Sequence, residues 1–128
     1  MTEQAFGLHT IGQIHVSVSD VDRAVEFYRD RLGMRFLFQV PHMAFFDCDG
    51  VRLYLGIPES AEFRSRATLY FTVADLDEAV AALEGRGVEF SNRPQVVHRT
   101  ETTELWMASL EDPDGNNIAL MREVARPG

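Results

Sequence analysis

The chain contains no lysine and only one cysteine, Cys48. A single thiol excludes an intrachain disulfide, so the fold is not a disulfide scaffold. Its 12 basic residues are all arginine and face 20 acidic ones, leaving a formal charge of −8. That sign repels a phosphate backbone, and no basic cluster offsets it, so nucleic-acid and anionic-membrane partners are not expected. No apolar run approaches the ~18 residues of a membrane span. The first residues lack a basic start followed by an apolar stretch, so no secretory signal is expected and a soluble cytoplasmic protein is the reading. There is no Gly-rich phosphate loop, since Gly85 and Gly87 bracket a helix end, and no Ser/His/Asp arrangement is identifiable from spacing. Cys48 lies between Asp47 and Asp49, whose charges oppose thiolate formation and argue against a nucleophile.

What remains is 128 residues of ordinary globular composition. That length fits one domain, residues 1–128, able to fold without metal or disulfide. The chain repeats itself. Val18-Ser19-Asp20-Val21-Asp22-Arg23-Ala24-Val25 returns as Val73-Ala74-Asp75-Leu76-Asp77-Glu78-Ala79-Val80, and Gly33-Met34-Arg35-Phe36 returns as Gly87-Val88-Glu89-Phe90. Asp49-Gly50-Val51-Arg52-Leu53-Tyr54-Leu55 is echoed by Asp114-Gly115-Asn116-Asn117-Ile118-Ala119-Leu120 at a larger offset. The drift requires a longer connection in the second copy, which residues 91–103, with Pro94 and several polar residues, can supply.

Each copy reads as a strand, a helix and three further strands. Ile14, Val16 and Val18 alternate with Gln13, His15 and Ser17, as a strand with one buried face does. Val21, Ala24, Val25, Tyr28 and Leu32 then recur at helical spacing, with Ser19 or Asp20 as cap and Gly33 as stop. Leu69, Phe71 and Val73, followed by Leu76, Ala79, Val80 and Leu83, repeat the pattern up to Gly87. Short strands are expected at about 34–40, 42–47 and 51–57, then 88–91, 104–110 and 117–122. Asp49-Gly50 and Asp112-Pro113-Asp114-Gly115 provide turn chemistry. The predicted fold class is α+β, two βαβββ modules over about 9–57 and 66–122 in pseudo-twofold arrangement.

With the run Val18-Ser19-Asp20-Val21-Asp22-Arg23-Ala24-Val25-Glu26-Phe27-Tyr28 leading to Leu32-Gly33, and Asp112-Pro113-Asp114-Gly115-Asn116 before the last strand, the sequence resembles the vicinal oxygen chelate superfamily. That superfamily includes glyoxalase I, bleomycin- and fosfomycin-resistance proteins, extradiol dioxygenases and methylmalonyl-CoA epimerase. The resemblance covers residues 9–122. It implies a curved sheet around a central cleft and proteins that often pair so that modules of two chains share a cleft. A homodimer is therefore expected, swapped or unswapped. The fold itself hosts many chemistries.

Strand alternation sorts the cleft side independently. Opposite the apolar rows lie Gln13/His15/Ser17, Arg52/Tyr54/Gly56, Thr68/Tyr70/Thr72 and Asn117/Ala119/Met121, a polar and aromatic mixture suited to a small molecule. The resemblance places metal ligands at Gln13, Tyr54, Thr68 and Ala119. Gln13 is an acceptable donor, but Tyr54 and Ala119 stand where relatives carry glutamate and Thr68 where they carry histidine or its equivalent. A divalent ion wants several N, O or S donors, so no metal or other cofactor is expected. The missing carboxylate at 119 also removes the proton-exchanging group of a glyoxalase.

The binding candidates are thus Gln13, His15, Arg52, Tyr54, Thr68, Tyr70, Trp106 and Ala119. His15 is the candidate general base or displaced ligand, or simply a hydrogen-bonding pocket residue. Arg52 can orient a carboxylate by a bidentate bond or sit as an exposed strand-end arginine. Trp106 faces the cleft if Leu105 and Met107 face inward, and the core if the phase is opposite. His98 and Glu104 flank a polar stretch that either closes over a ligand or stays solvated, and His42 sits in an exposed turn. Asp20, Asp22, Asp75 and Asp77 start helices, where the helix dipole explains them. Of Phe36/Phe38 and Phe45/Phe46, one member each can reach the cleft. Three readings follow: metal-free binding or sequestration of a small molecule; a lyase, isomerase or dioxygenase-type enzyme using a metal-free or rearranged site with His15; or an interaction module with a vestigial pocket.

Overall fold

Asp20 and Asp75 occupy matching positions in the two repeats and do the same work. Each has extended backbone, and its side chain accepts from the amide three residues on, at Arg23 and Glu78, 3.0 Å in both cases. These side chains satisfy amides that the first helical turn leaves without partners. The first caps α1 (Val21–Val25), which widens into a π-helical stretch over Glu26–Arg31, the Leu32 amide reaching back to the Phe27 carbonyl. The second caps α2 (Leu76–Gly85). Gly33 and Gly87 end the two helical segments at φ 75° and 86°, a conformation that favours glycine.

The two helix ends abut. Arg31 Nη1 donates to the Gly87 carbonyl at 3.1 Å, and Arg86 Nη1 donates to the Arg31 carbonyl at 3.2 Å. A Cβ added at Gly33 would meet Arg86 Nη1 at 2.8 Å, and one at Gly87 would meet Arg31 Nη1 at 2.8 Å. This reciprocity is the pseudo-twofold relation expected of a repeated sequence.

The computed structural model describes residues 6–60 and 68–126. Strands β1 (Gln13–Ser17), β2 (Arg35–Val40), β3 (Met43–Cys48) and β4 (Val51–Gly56) form one sheet in the order β1-β4-β3-β2. Strands β5 (Leu69–Thr72), β6 (Phe90–Arg99), β7 (Thr103–Glu111) and β8 (Asn117–Ala125) form a second in the order β5-β8-β7-β6. In each, the strand before the helix runs parallel to the last strand and the other pairs are antiparallel. The fold is therefore α+β, built from two βαβββ modules. The expected start of the second module near residue 66 lies outside the described residues.

One expectation needs correction. Residues 91–103 do not form an open connection, because β6 runs from Phe90 to Arg99 and takes up most of them. The strand tolerates Pro94 because it is the outer strand of its sheet, where a missing N–H leaves no ladder bond unmade. Its register against β7 shifts three times, between Phe90 and Asn92, Asn92 and Gln95, and Val96 and His98. Those bulges absorb the extra length that the repeat offset demanded.

The helix sides of both sheets feed one core. Ala44, Phe46, Leu53 and Leu55 from the first sheet and Ala108, Leu110, Ile118 and Leu120 from the second belong to the same buried cluster as Ala24, Val25, Tyr28, Val80 and Leu83. At its centre the Tyr28 hydroxyl donates to Asp112 Oδ2 at 2.8 Å. The other donors to Asp112 are the Asn116 side-chain amide on Oδ2, at 2.8 Å, and the backbone N–H groups of Asp114 and Asn116 on Oδ1, at 2.9 and 2.8 Å. Asn116 also donates to the Ser17 carbonyl of the other module. Burial, then the charge of Asp112 and its hydrogen bond, push the Tyr28 phenol far up, so it stays a neutral donor.

Asp112→Ala would leave the Tyr28 hydroxyl, the Asn116 amide and two backbone N–H groups without this acceptor. A loss of about 2–4 kcal/mol is expected, measured by urea unfolding. Tyr28→Phe, which leaves the carboxylate its three other donors, should cost less. Equal midpoints for wild type and Asp112→Ala would show that this contact does not hold the modules together.

Candidate functional site

On β4 the buried Leu53 and Leu55 face the helices, so Arg52, Tyr54 and Gly56 face outward. The register sets His15 beside Tyr54 on one flank and Phe45 beside Tyr54 on the other, with Phe38 beside Phe45. Their rings form a ladder across four strands. His15 and Tyr54 are 4.5 Å apart between centroids, Tyr54 and Phe45 5.2 Å, and Phe45 and Phe38 4.6 Å. Phe36 and Phe46, on the alternate face, pack edge to face with centroids 5.5 Å apart on the core side. One phenylalanine of each expected pair therefore reaches the outer wall.

Gly56 makes room for the Tyr54 ring. A Cβ there would come within 2.7 Å of Tyr54 Cζ and its hydroxyl oxygen. The phenol therefore leans along its own strand over the glycine, beside His15. His15 Nε2 is closed off from solvent without a hydrogen-bond partner, an uncommon state for a polar atom. Arg52 lies at the same wall, its guanidinium carbon 5.5 Å from the centre of the Phe45 ring. Gln13, at the start of β1, is exposed and shares the face of His15.

The second sheet presents Thr68, Tyr70, Asn92, Gln95, Met107, Ser109, Asn117 and Ala119 around a hollow of about 370 Å³. Tyr70 is 58 % exposed and Ala119 only 5 %, beneath the pairing with Ser109 and Tyr70. Asn92 and Gln95 escaped sequence reasoning because their segment read as a loop. Trp106 is not on this wall. It shares the phase of the buried Ala108 and Leu110 and packs against the core, so its place among the binding candidates is corrected. The signal was the Ala108/Leu110 spacing, read against Ile118 and Leu120 opposite them. His98 lies in β6 opposite Leu105, and Glu104 is held by Arg99 at 2.7 Å, so neither flanks an open loop. His42 is exposed in the turn between β2 and β3 at φ 70°.

Because both helix sides share one core, the two outer walls look away from that core on separate sheets. Gln13, His15, Arg52 and Tyr54 stand on the first; Ala119 stands on the second. Thr68 and Tyr70 also join Arg52 around a larger hollow of about 770 Å³ between the modules. The donors at the positions where the family resemblance implies a metal do not fit one: an amide, a phenol and an aliphatic hydroxyl, with a methyl group at Ala119. Among the described residues, no three His, Cys, Asp or Glu side chains gather as a metal site would require. Cys48 is half-buried, and burial followed by the charge of Asp47 pushes its thiol up, which keeps it protonated at neutral pH.

The sequence profile of the glyoxalase/bleomycin resistance protein/dioxygenase superfamily matches residues 10–120. The metallothiol transferase FosB of Staphylococcus haemolyticus is 31 % identical over 119 residues, covering 80 % of this chain and 86 % of that protein. Among solved structures, a superfamily member from Sphaerobacter thermophilus superposes with TM-score 0.72 at 25 % identity, covering 89 % of this chain and 97 % of the other. The lactoylglutathione lyase of Agrobacterium tumefaciens does so with TM-score 0.71 at 20 % identity, covering 90 % and 94 %.

Gly56→Ala should displace the Tyr54 ring, since the new methyl group and the phenol cannot share that space. Nuclear magnetic resonance of the His15 ring protons reads this directly. They should lie upfield in the wild type, from the neighbouring phenol, and move towards free-histidine positions in the variant. Unchanged His15 shifts would contradict the leaning geometry.

Proposed function

The chain belongs to the glyoxalase/bleomycin resistance protein/dioxygenase superfamily, and from that premise we propose that it binds or sequesters a small organic molecule in a cleft with no resident divalent metal. The observation that carries this reading is the lining of the two outer walls. One is an aromatic ladder and the other a set of neutral amides, hydroxyls and methyl groups. Such surfaces hold a ligand by contact and a few directed hydrogen bonds.

The same proposal includes a homodimer. Each outer wall is half of a cleft, and β1 and β5 end their sheets with unpaired edges of only five and four residues. A second copy that sets its second sheet against the first would cover both an edge and a wall. A second reading keeps the cleft and has His15 carry a proton in lyase- or isomerase-type chemistry. The unpartnered, solvent-shielded Nε2 favours it.

Tag-free protein should elute at twice the 14.5 kDa chain mass in light-scattering chromatography. After dialysis it should retain no stoichiometric Mg, Mn, Fe, Ni or Zn. A retained metal that His15→Ala releases would overturn the metal-free reading, and a monomer that still binds ligand would overturn the shared cleft. Turnover of a bound molecule that His15→Asn abolishes, with binding intact, would select the enzymatic reading.

A further inference from the structure

The first wall has an electrostatic character opposite to that of the chain. Its ladder rings lie 4.5 to 5.2 Å apart, with Phe45 and Tyr54 inclined by only 13°. That separation is close to the spacing of neighbouring strands, about 4.8 Å. Rings lying flat on a sheet could not approach so closely, so Phe38, Phe45 and Tyr54 use their faces on one another, the Tyr54 ring doing so as it leans along β4. What they turn outward is their edges. A ring edge is the positive part of the aromatic quadrupole and a ring face the negative part.

Arg52 adds a full positive charge to the same wall, its guanidinium carbon over the Phe45 ring at 5.5 Å from the centroid. It has no carboxylate partner among the described residues. Its cross-strand neighbour Asp47 instead accepts from the Gly50 amide at 3.1 Å and faces Arg35 at 3.9 Å. A cation binds to ring faces, but those of Phe45 and Tyr54 are already engaged by neighbouring rings and by the Arg52 guanidinium, which would repel a second cation. The opposite ligand fits both features. The π-face of an electron-rich ring is attracted to outward C–H edges, and a carboxylate is attracted to the guanidinium.

Building on the small-molecule reading of this cleft, we propose that its ligand is a planar aromatic acid, with the ring laid over the edges of Phe45 and Tyr54 and the carboxylate held by Arg52. The second wall brings no opposing charge to its centre, since Tyr70, Ser109, Ala119 and Gln95 are neutral. The acidity of the whole chain therefore does not set the charge of the ligand. The local wall does.

The test is calorimetric titration of the full chain with three probes of one shape: 2-naphthoate, 2-naphthylmethanol and 2-naphthylmethylammonium. The naphthoate should bind at least about tenfold more tightly than the alcohol, as a charge-assisted bond predicts, and the ammonium more weakly still. Arg52→Gln, on an exposed side chain, should remove the naphthoate advantage and leave the alcohol unchanged. Phe45→Leu should weaken both. Equal or tighter binding of the ammonium, or an unaltered naphthoate affinity in Arg52→Gln, would overturn the acid assignment while leaving a ligand cleft standing. Naphthoate binding untouched by Phe45→Leu would place the site elsewhere, and no saturable binding of any probe would overturn both readings.

Discussion

Tyr28 donates its hydroxyl to Asp112 across 84 residues of chain, inside a core that excludes water from both. The position that repeats Asp112 in the first module is Asp47, which accepts from the Gly50 amide and faces Arg35 on a more open edge. The position that repeats Tyr28 in the second module is Leu83, a plain core residue. The pseudo-twofold symmetry is therefore broken by one directed polar bond. Apolar packing of two similar modules allows many sliding arrangements, because the hydrophobic effect has no direction. A buried carboxylate with four donors does not. It fixes the helix of one module against the final turn of the other, and the orientation of both outer walls follows.

That orientation explains which parts of the site were legible in the sequence. The residues of each wall followed from strand alternation, since Leu53 and Leu55 place Arg52 and Tyr54 on the opposite side with no further information. Their neighbours needed register. Phe45-Phe46 announces that one ring faces each way, but only the pairing of Phe45 with Tyr54, and of Phe38 with Phe45 past a bulge, makes a ladder. Trp106 was ambiguous because Glu104-Leu105-Trp106-Met107 carries bulky apolar groups in both phases, and the deciding residues were the small Ala108 and the more distant Leu110. The segment 91–99 was misread because Pro94 and its polar neighbours have loop chemistry. An edge strand with bulges tolerates the same composition.

The capping aspartates, the closing glycines and the repeated order of elements were readable because each is a local requirement. Whether the two walls face each other is not local. It depends on which sides of the sheets bury together, and the sequence states only that each sheet has an apolar side. The apolar rows of both modules enter one core, so His15 and Tyr54 stand on a different sheet from Ala119, while Arg52, Thr68 and Tyr70 meet around the hollow between the modules. The residues that alternation assigned to one cleft thus stand on two sheets of the chain.

Ala119, where the family resemblance implies a metal-ligand carboxylate, lies in surroundings that suit a small neutral side chain. The side chain is almost fully buried, with Ser109 across one strand boundary and Tyr70 across the other. A carboxylate at this position would lose most of its hydration and would need a cation or several donors in return. The neighbouring hydroxyls could not replace them, and the wall carries no basic side chain at that point. Alanine removes the requirement altogether and leaves a shallow neutral floor under Tyr70. On the first wall Tyr54 fills its own position with a ring whose hydroxyl leans over Gly56 rather than towards a shared centre. At both positions the side chain offers an ion no carboxylate, and both lie on the sides of their sheets away from the shared core.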